Sequence, residues 1–271
     1  MKYTVVTTFH DNGYTAYGKR MIETFLKNWP DSVELIVYAE NCEVVEQAPN
    51  LIVKDLHQSS PGLVAFKERW KNTPKAIGKL ATGPRNANGK QQGIGFKWDA
   101  GRFSHKTYSI FDCAKKIDSD FLIWMDADTV CHSPITIEQL NRLIPQDKDL
   151  CFLGRRGKYT ECGLYAMNLK SSAIQIFLDR FRWMYDDAEN GIFKQDEWHD
   201  SFIFDVVRKH IVLNELDWSG HLIKGEGHPL INSEWGAYLD HLKGKRKDYG
   251  KSAKSDLIVN RHEKYWISSP G

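Results

Sequence analysis

The stretch that decides the fold is Phe121-Leu-Ile-Trp-Met-Asp126-Ala-Asp128-Thr-Val130. Its first five residues are all apolar, and a short, fully apolar run predicts a strand that is buried on both faces of a sheet. Two carboxylates, Asp126 and Asp128, follow directly, so the strand leaves the core and ends in acids. Because ligands of open α/β sheets bind beyond the carboxyl ends of the strands, we expect the site at that edge.

The residues on either side of this strand alternate between strand-like and helix-like patterns. Short apolar or alternating runs predict further strands at residues 3–8, 34–39, 51–56, 150–153 and 163–167. Apolar residues at helical spacing predict helices at residues 17–29, 103–117, 174–185 and 202–207. Strands that alternate with helices predict an α/β fold, and the length of 271 residues suits a single domain, residues 1–271.

Composition narrows the classes of function. The chain has 37 basic and 35 acidic residues, and this balance argues against nucleic acid as a partner. The sequence contains no run of about 20 apolar residues, so we predict no integral membrane segment. Five scattered cysteines without a Cys-x-x-Cys pair indicate reduced thiols. Together with a first segment that begins as a strand, they predict a cytoplasmic protein.

Asp126 and Asp128 are the first candidates for chemistry. Carboxylates at the end of a strand can share a hard divalent cation, Mg²⁺ or Mn²⁺, which prefers oxygen ligands and commonly bridges to substrate phosphates. Two alternatives stay open. The acids can form a solvated turn, or Asp126 can be the nucleophile of a phosphatase of haloacid-dehalogenase type. In that class the motif lies near the start of the chain, whereas 125 residues precede Asp126 here.

Two segments have no regular pattern. Residues 72–95 carry several glycines and basic residues and are too long for an ordinary connection, so we predict a mobile or functional loop. Residues 243–254 contain six basic residues against one acid, Asp248. This run can be a solvated basic surface or a binding site for an anion.

The strand and its acids resemble the metal motif of glycosyltransferases with the GT-A fold, the class of glycogenin and the bacterial lipopolysaccharide galactosyltransferases. Lys106, with Arg102 one helical turn before it, stands where these enzymes carry a basic residue that contacts the donor. The resemblance implies a GT-A-like fold for nucleotide-diphospho-sugar transfer, in which a central, mixed and mostly parallel sheet is flanked by helices. It also implies Mn²⁺ or Mg²⁺ as cofactor.

Two further motifs extend the resemblance toward the C-terminus. The segment that contains Glu161 and Gly163 is similar to the family's Asn-Ala/Ser-Gly segment, which lies against the donor sugar, although Glu161 replaces a neutral Asn. The pattern His241-x-x-Gly244-x-x-Lys247 is similar to one in which the His is the third metal ligand and the Gly and Lys hold the diphosphate. The resemblance therefore implies a metal site of Asp126, Asp128 and His241, with Asp126 also near the donor. We expect residues 243–271 to close over that donor.

The function implied by this resemblance is a metal-dependent hexosyltransferase. It moves a sugar from a nucleotide-diphosphate donor, with a UDP-sugar favoured, to a hydroxyl of a glycan or other acceptor, with retention. Thr8, at the end of the first strand, would hold the base or ribose. Asp200 would lie nearest the reacting carbon, or alternatively complement a helix N-terminus. Trp70 and Trp98 are candidates to flank a sugar acceptor. A non-catalytic nucleotide- or glycan-binding protein remains an alternative.

Overall fold

The structure is a computed structural model, and it describes residues 1–79, 94–222 and 228–268. The strands in these ranges are β1 (Tyr3–His10), β2 (Glu34–Glu40), β3 (Leu51–Asp55), β4 (Phe121–Met125), β5 (Thr129–Cys131), β6 (Leu150–Leu153), β7 (Glu161–Asn168), β8 (Glu215–Asp217) and β9 (Leu239–His241). One sheet has the strand order β3-β2-β1-β4-β7-β6-β8, and β5 pairs with β9 in a separate sheet. In the larger sheet four neighbouring pairs are parallel and two are antiparallel. The prediction of an α/β fold with a mixed, mostly parallel sheet is confirmed.

Helices cover both faces of the larger sheet. They are α1 (Asp11–Gly13), α2 (Lys19–Asn28), α3 (Leu56–Ser59), α4 (Pro61–Trp70), α5 (Ala100–Lys116), α6 (Ile137–Leu143), α7 (Ser172–Asp186), α8 (Asp200–Arg208), α9 (Pro229–Asn232), α10 (Arg246–Tyr249) and α11 (Lys264–Ile267). A π-helical turn, Tyr14–Gly18, joins α1 to α2. The four predicted helices correspond to α2, α5, α7 and α8. Within the described ranges no helix is long and apolar enough to cross a membrane.

Strand β4 lies at the centre of the core, as its composition predicts. All five of its side chains are buried, and they alternate between two apolar layers. Phe121, Ile123 and Met125 pack into the layer that contains α2. Leu122 and Trp124 pack into the layer that contains α5 and α7. Because each buried side chain of this size contributes about 1.5–3 kcal/mol, the strand that precedes the two acids is stably packed in the core.

The C-terminal residues are attached to β9 by a buried carboxylate. Asp240 accepts hydrogen bonds from the backbone N–H and the hydroxyl of Ser252, at 2.8 and 2.6 Å, and from the hydroxyl of Tyr265, at 2.8 Å. The ring of Tyr265 stacks on His132, which follows β5, with ring centroids 3.9 Å apart. The chain from Ser252 to Tyr265 is therefore packed against the small sheet. The predicted closure of residues 243–271 over a donor stays a prediction, as does the single domain of residues 1–271. Residues 80–93 of the predicted loop lie outside the described ranges.

We predict that the free energy of unfolding falls as the pH is lowered from 6.5 toward 4. Burial lowers the pKa of His132 from 6.5 to about 4. The unfolded chain takes up this proton first, so stability that is present above pH 6.5 is lost toward pH 4, by up to about 3 kcal/mol. Urea unfolding at pH 7 and pH 4.5 measures the loss. His132→Gln should reduce the difference between the two values, and an unchanged difference would exclude His132 as its source.

Candidate functional site

A cleft of about 1500 Å³ lies at the carboxyl ends of β1, β2 and β4. Thr8 and His10 reach it from the end of β1, and Glu40 reaches it from the end of β2. The acids that follow β4 lie on its floor, and the start of the antiparallel strand β7 forms part of its wall. The cleft is thus at the edge of the sheet where the sequence predicted a site.

Asp126, Asp128 and His241 meet in this cleft. His241 Nε2 lies 3.0 Å from Asp128 Oδ1 and 3.5 Å from Asp126 Oδ2. One potential ligand atom from each of the three residues lies within 4.8 Å of the other two. The structure therefore brings together the three residues that the sequence proposed as metal ligands. Whether they bind a metal stays a prediction.

The small sheet of β5 and β9 carries His241 to the acids. Thr129 of β5 pairs with His241 of β9, so the imidazole is placed beside the turn that contains Asp126 and Asp128. The backbone N–H of Leu242 donates to the carbonyl of Asp128 at 2.8 Å. His228 Nε2 lies 2.7 Å from the carbonyl oxygen of His241 and fixes that strand from behind. Backbone pairing rather than a flexible loop thus positions His241, which is 1% exposed.

Opposite charges stabilise the ionised forms of these side chains. Burial disfavours charge on His241, but the carboxylates of Asp128 and Asp126 outweigh it and raise the pKa of the imidazole. Burial also disfavours charge on Asp128, yet His241 and Lys247 hold its pKa well below the ordinary value. Lys247 Nζ lies 2.8 Å from Asp128 Oδ2. These two basic groups supply the positive charge that stabilises the ionised carboxylates.

Lys106 joins the acids of the β4 turn to the start of α8. Its Nζ lies 3.1 Å from Asp126 Oδ1 and 2.8 Å from Asp200 Oδ2, and it also donates to the carbonyl of Cys162. Asp126 Oδ1 accepts a second hydrogen bond, at 2.7 Å, from Trp124 Nε1. Although burial opposes its charge, Asp126 and Asp200 raise the pKa of Lys106 well above the ordinary value. Lys106 is therefore a buried cation that fixes the distance between two carboxylates.

Glu161 and Gly163, predicted to lie against a donor sugar, stand next to His241. Lys243 Nζ donates to both carboxylate oxygens of Glu161, at 3.0 and 3.1 Å, and Arg155 lies 3.2 Å away. Burial raises the pKa of Glu161, but Lys243, His241 and Arg155 together lower it to about 2. Among the residues that the structure describes, the buried His241 Nδ1 has no hydrogen-bond partner, and it lies 3.9 Å from Glu161 Oε1. The carboxylate of Glu161 thus places negative charge near the second ring nitrogen of His241.

Gly163 leaves the space that the imidazole of His241 occupies. A Cβ atom at this position would lie 2.5 Å from Cε1 and 2.7 Å from Nδ1 of His241. We predict that Gly163→Ala displaces the ring and weakens Mn²⁺ binding by about 10–100-fold, the range found when groups that orient a metal ligand are changed. Isothermal titration with Mn²⁺ measures the change. Gly101→Ala is the matched control, because the nearest described atom to its Cβ would be the carbonyl oxygen of Ala76, at 3.4 Å. Equal affinities in both variants would contradict the prediction.

The remaining predicted residues line the same cleft. The hydroxyl of Thr8 donates to the carbonyl of Tyr38 at 2.7 Å, so this hydroxyl group is hydrogen-bonded to strand β2. Arg102 is exposed one turn before Lys106 on α5. Gly244 has a φ of +65°, and a Cβ there would have no neighbour within 4 Å among the described parts of the chain. The roles of these residues in binding a nucleotide sugar stay predictions.

Several contributors to the site were not predicted from the sequence. Lys243 was noted only as part of a basic run, and its pairing with Glu161 joins residues 82 positions apart. Trp124 was predicted to be a core residue. Its position within the apolar strand β4 does not indicate that its indole reaches Asp126. Trp70 and Trp98, proposed as acceptor residues, do not line the cleft among the described residues. Trp98 donates to the carbonyl of Asp196, and Trp70 packs edge-on against Phe193.

Comparison with known proteins gives structural similarities only. No protein-family model and no curated protein matches the sequence. The chain is similar to a glycosyltransferase involved in glycosylation of the major capsid of PBCV-1, with 10% identity, a TM-score of 0.49, and coverage of 92% of this chain and 100% of that one. It is similar to an active-site mutant of LgtC, with 13% identity, a TM-score of 0.47, and coverage of 89% and 87%.

A third similar structure is the bifunctional glycosyltransferase WbbM, with 12% identity, a TM-score of 0.48 and coverage of 80% of this chain. The chain spans 38% of WbbM and 45% of GlyE, a glycosyltransferase of Streptococcus pneumoniae TIGR4. At identities of 10–13%, these similarities concern the fold.

Proposed function

We propose that this protein is a metal-dependent glycosyltransferase. It transfers a sugar from a nucleotide-diphosphate donor, with a UDP-sugar favoured, to an acceptor hydroxyl, with retention of configuration. The observation that carries the proposal is the convergence of Asp126, Asp128 and His241 at the carboxyl edge of the sheet. Sugar transfer from such a donor needs a site that neutralises a diphosphate leaving group, and this cleft combines acids for a cation with the basic side chains of Arg102 and Lys247.

The residues fit a divalent cation. Two carboxylates suit Mg²⁺ and Mn²⁺, and the imidazole of His241 disfavours Mg²⁺ of the two, because Mg²⁺ prefers oxygen ligands. The buried Nδ1 of His241 lies 3.9 Å from Glu161 Oε1, an arrangement that orients Nε2 toward the two acids. When bound, the ion would neutralise charge on the diphosphate as it leaves. Lys247, which pairs with Asp128 here, adds a point charge for phosphate, and the backbone at Gly244 can approach the phosphates closely.

Asp200 is proposed as the carboxylate nearest the reacting carbon. It lies at the first position of α8, so the alternative of an acid at a helix N-terminus also describes it. Its contact with Lys106 goes beyond that alternative, because Lys106 links it to Asp126 and therefore to the proposed phosphate end of the cleft. From this position Asp200 can stabilise positive charge on the sugar or orient the acceptor hydroxyl.

The phosphatase alternative is not favoured. A nucleophilic Asp126 needs a carboxylate oxygen that is free to attack phosphorus. Its Oδ1 accepts hydrogen bonds from Trp124 and Lys106, and its Oδ2 faces His241. These contacts hold Asp126 in place and lower its reactivity as a nucleophile. Trapping of an aspartyl-phosphate at Asp126 would nevertheless decide in favour of the phosphatase.

Hydrolysis of a panel of UDP-sugars, measured with Mn²⁺ and then with a chelator, tests the proposal. We expect slow release of UDP from at least one donor, loss of that activity with chelator, and a higher melting temperature with donor and Mn²⁺ together. Hydrolysis that persists in chelator would refute the metal requirement. Donor binding without hydrolysis or transfer to any acceptor would instead identify a non-catalytic binding protein.

A further inference from the structure

Two lysines that follow β9 form ion pairs with acids of the cleft. Lys247 Nζ lies 2.8 Å from Asp128 Oδ2, and it also lies over the ring of Tyr17, 4.7 Å from its centroid. Lys243 Nζ lies 3.0 Å from Glu161 Oε1 on β7. We call residues 243–250 the basic segment. Two of its charges are therefore paired with the acids that line the proposed donor site.

The backbone of the basic segment is held by contacts that do not involve Lys247. Arg246 Nε donates to Asp256 Oδ2 at 2.9 Å, and Arg20 Nη1 donates to the carbonyl of Gly250 at 2.7 Å. The side chain of Lys247 is 31% exposed, and its four-carbon stem is flexible. The ammonium group of Lys247 can therefore change its partner while α10 stays in place.

The other two basic groups that contact Asp126 or Asp128 have less freedom to move. The side chain of Lys106 is 9% exposed, and its ammonium group is held between the carboxylates of Asp126 and Asp200. The side chain of His241 is 1% exposed, and backbone pairing of its strand fixes its position. Of these three basic groups, Lys247 is the one that can leave its carboxylate without a rearrangement of the core.

Lys247 and a divalent cation compete for the same carboxylate. Asp128 is one of the three proposed metal ligands, and its Oδ2 already forms the ion pair with Lys247. Two positive charges at one carboxylate repel each other, and the repulsion is stronger in a partly buried site than in water. A diphosphate bound in the cleft would offer anionic oxygens to the ammonium group as an alternative to Asp128. Binding of the donor would thus relieve the competition at Asp128.

We propose that Lys247 regulates metal binding by exchanging partners. Without donor it pairs with Asp128 and opposes a divalent cation there, and with donor it moves to the diphosphate and leaves Asp128 to the cation. The inference rests on the proposed function and adds a regulation of the same site to it. Because coupling between two bound ligands is reciprocal, the nucleotide and the cation each bind more tightly in the presence of the other. The cleft without nucleotide therefore resists loading by the cation alone.

Isothermal titration of the wild type and of Lys247→Met with Mn²⁺, first alone and then with saturating UDP, tests this inference. Without UDP, we expect Lys247→Met to bind Mn²⁺ about fivefold more tightly than the wild type, or tighter still, because the competing charge is gone. The factor by which UDP tightens Mn²⁺ binding should be at least about fivefold smaller in the variant than in the wild type. Both quantities are measured without turnover.

Two variants serve as controls. Lys245→Met removes the same charge from the basic segment at an exposed position two residues earlier, and it should leave both quantities as in the wild type. Lys247→Arg keeps a positive charge at the position, and it should bind Mn²⁺ alone as weakly as the wild type does. The comparison separates the ion pair with Asp128 from the general charge of the segment.

The outcomes distinguish this inference from the proposed function. The inference is overturned if Lys247→Met binds Mn²⁺ alone no more tightly than the wild type, including the case in which neither binds it. It is also overturned if UDP tightens Mn²⁺ binding by the same factor in both proteins. Hydrolysis of a UDP-sugar by the wild type would keep the proposed function in either case. Tighter Mn²⁺ binding by the variant, without any effect of UDP and without hydrolysis, would instead remove the proposed function and the exchange with it.

Discussion

Replacement of Asp128 by alanine is expected to lower turnover of a UDP-sugar with Mn²⁺ by about 10²–10³-fold or more, a loss typical of removing one charge-stabilising group from an active site. Asp128 is the residue that touches both basic groups of the site, His241 at 3.0 Å and Lys247 at 2.8 Å. Without it, two cations face each other at the place where a divalent ion has to bind. Steady-state release of UDP, measured over a range of Mn²⁺ concentrations, gives the loss.

Two further variants separate charge from shape in this experiment. Asp128→Asn keeps the volume of the side chain and should lose nearly as much activity, because the amide does not supply the negative charge. Asp118→Ala removes an acid whose side chain is 91% exposed, and it should keep the activity of the wild type. If Asp128→Ala retained more than about a tenth of the activity, Asp128 would not be part of the catalytic charge arrangement.

Replacement of Lys106 by methionine is expected to give the largest loss of stability. Lys106 is 7% exposed and lies between Asp126 and Asp200, so its removal leaves two carboxylates close together without a cation. Removal of one partner from a buried ion pair costs about 3–5 kcal/mol, which corresponds to a fall in melting temperature of about 6–20 °C for a chain of this size. Differential scanning calorimetry in the presence of a chelator measures the fall.

A surface lysine provides the control for this prediction. Lys116 forms an ion pair with Asp112 at 2.7 Å, but its side chain is 51% exposed. Lys116→Met should change the free energy of unfolding by less than about 1 kcal/mol, as is usual for exposed pairs. Equal melting temperatures for the Lys106 and Lys116 variants would mean that the buried contacts of Lys106 are not required for stability.

The sequence was most informative where a short segment determines its own structure. The apolar run of β4 predicted a strand buried on both faces, and all five of its residues are buried. The acids after it predicted the edge of the sheet at which the cleft lies. Both predictions depend on neighbouring residues and on the general geometry of α/β sheets, and neither needs knowledge of which distant segments meet.

Contacts between distant segments could be predicted from the sequence only in part. His241 was proposed as a ligand through resemblance, because β5 and β9 have three residues each and are too short to be recognised by periodicity. The pairing of Glu161 with Lys243 and Arg155 could not be inferred from the sequence, because the sequence does not distinguish these two residues from the other basic residues as partners. For the same reason the sequence offered Trp70 and Trp98 as candidates to flank an acceptor, and neither lines the cleft among the residues that the structure describes.

The most direct measurement is a titration with Mn²⁺ followed by electron paramagnetic resonance, which counts free and bound ions. The account predicts that the wild type binds one ion in the presence of UDP, that His241→Ala loses this binding, and that His210→Ala, which removes an exposed histidine, keeps it. Binding of one ion with the same affinity in the wild type and in His241→Ala would contradict the claim that this imidazole and the two acids hold a single cation.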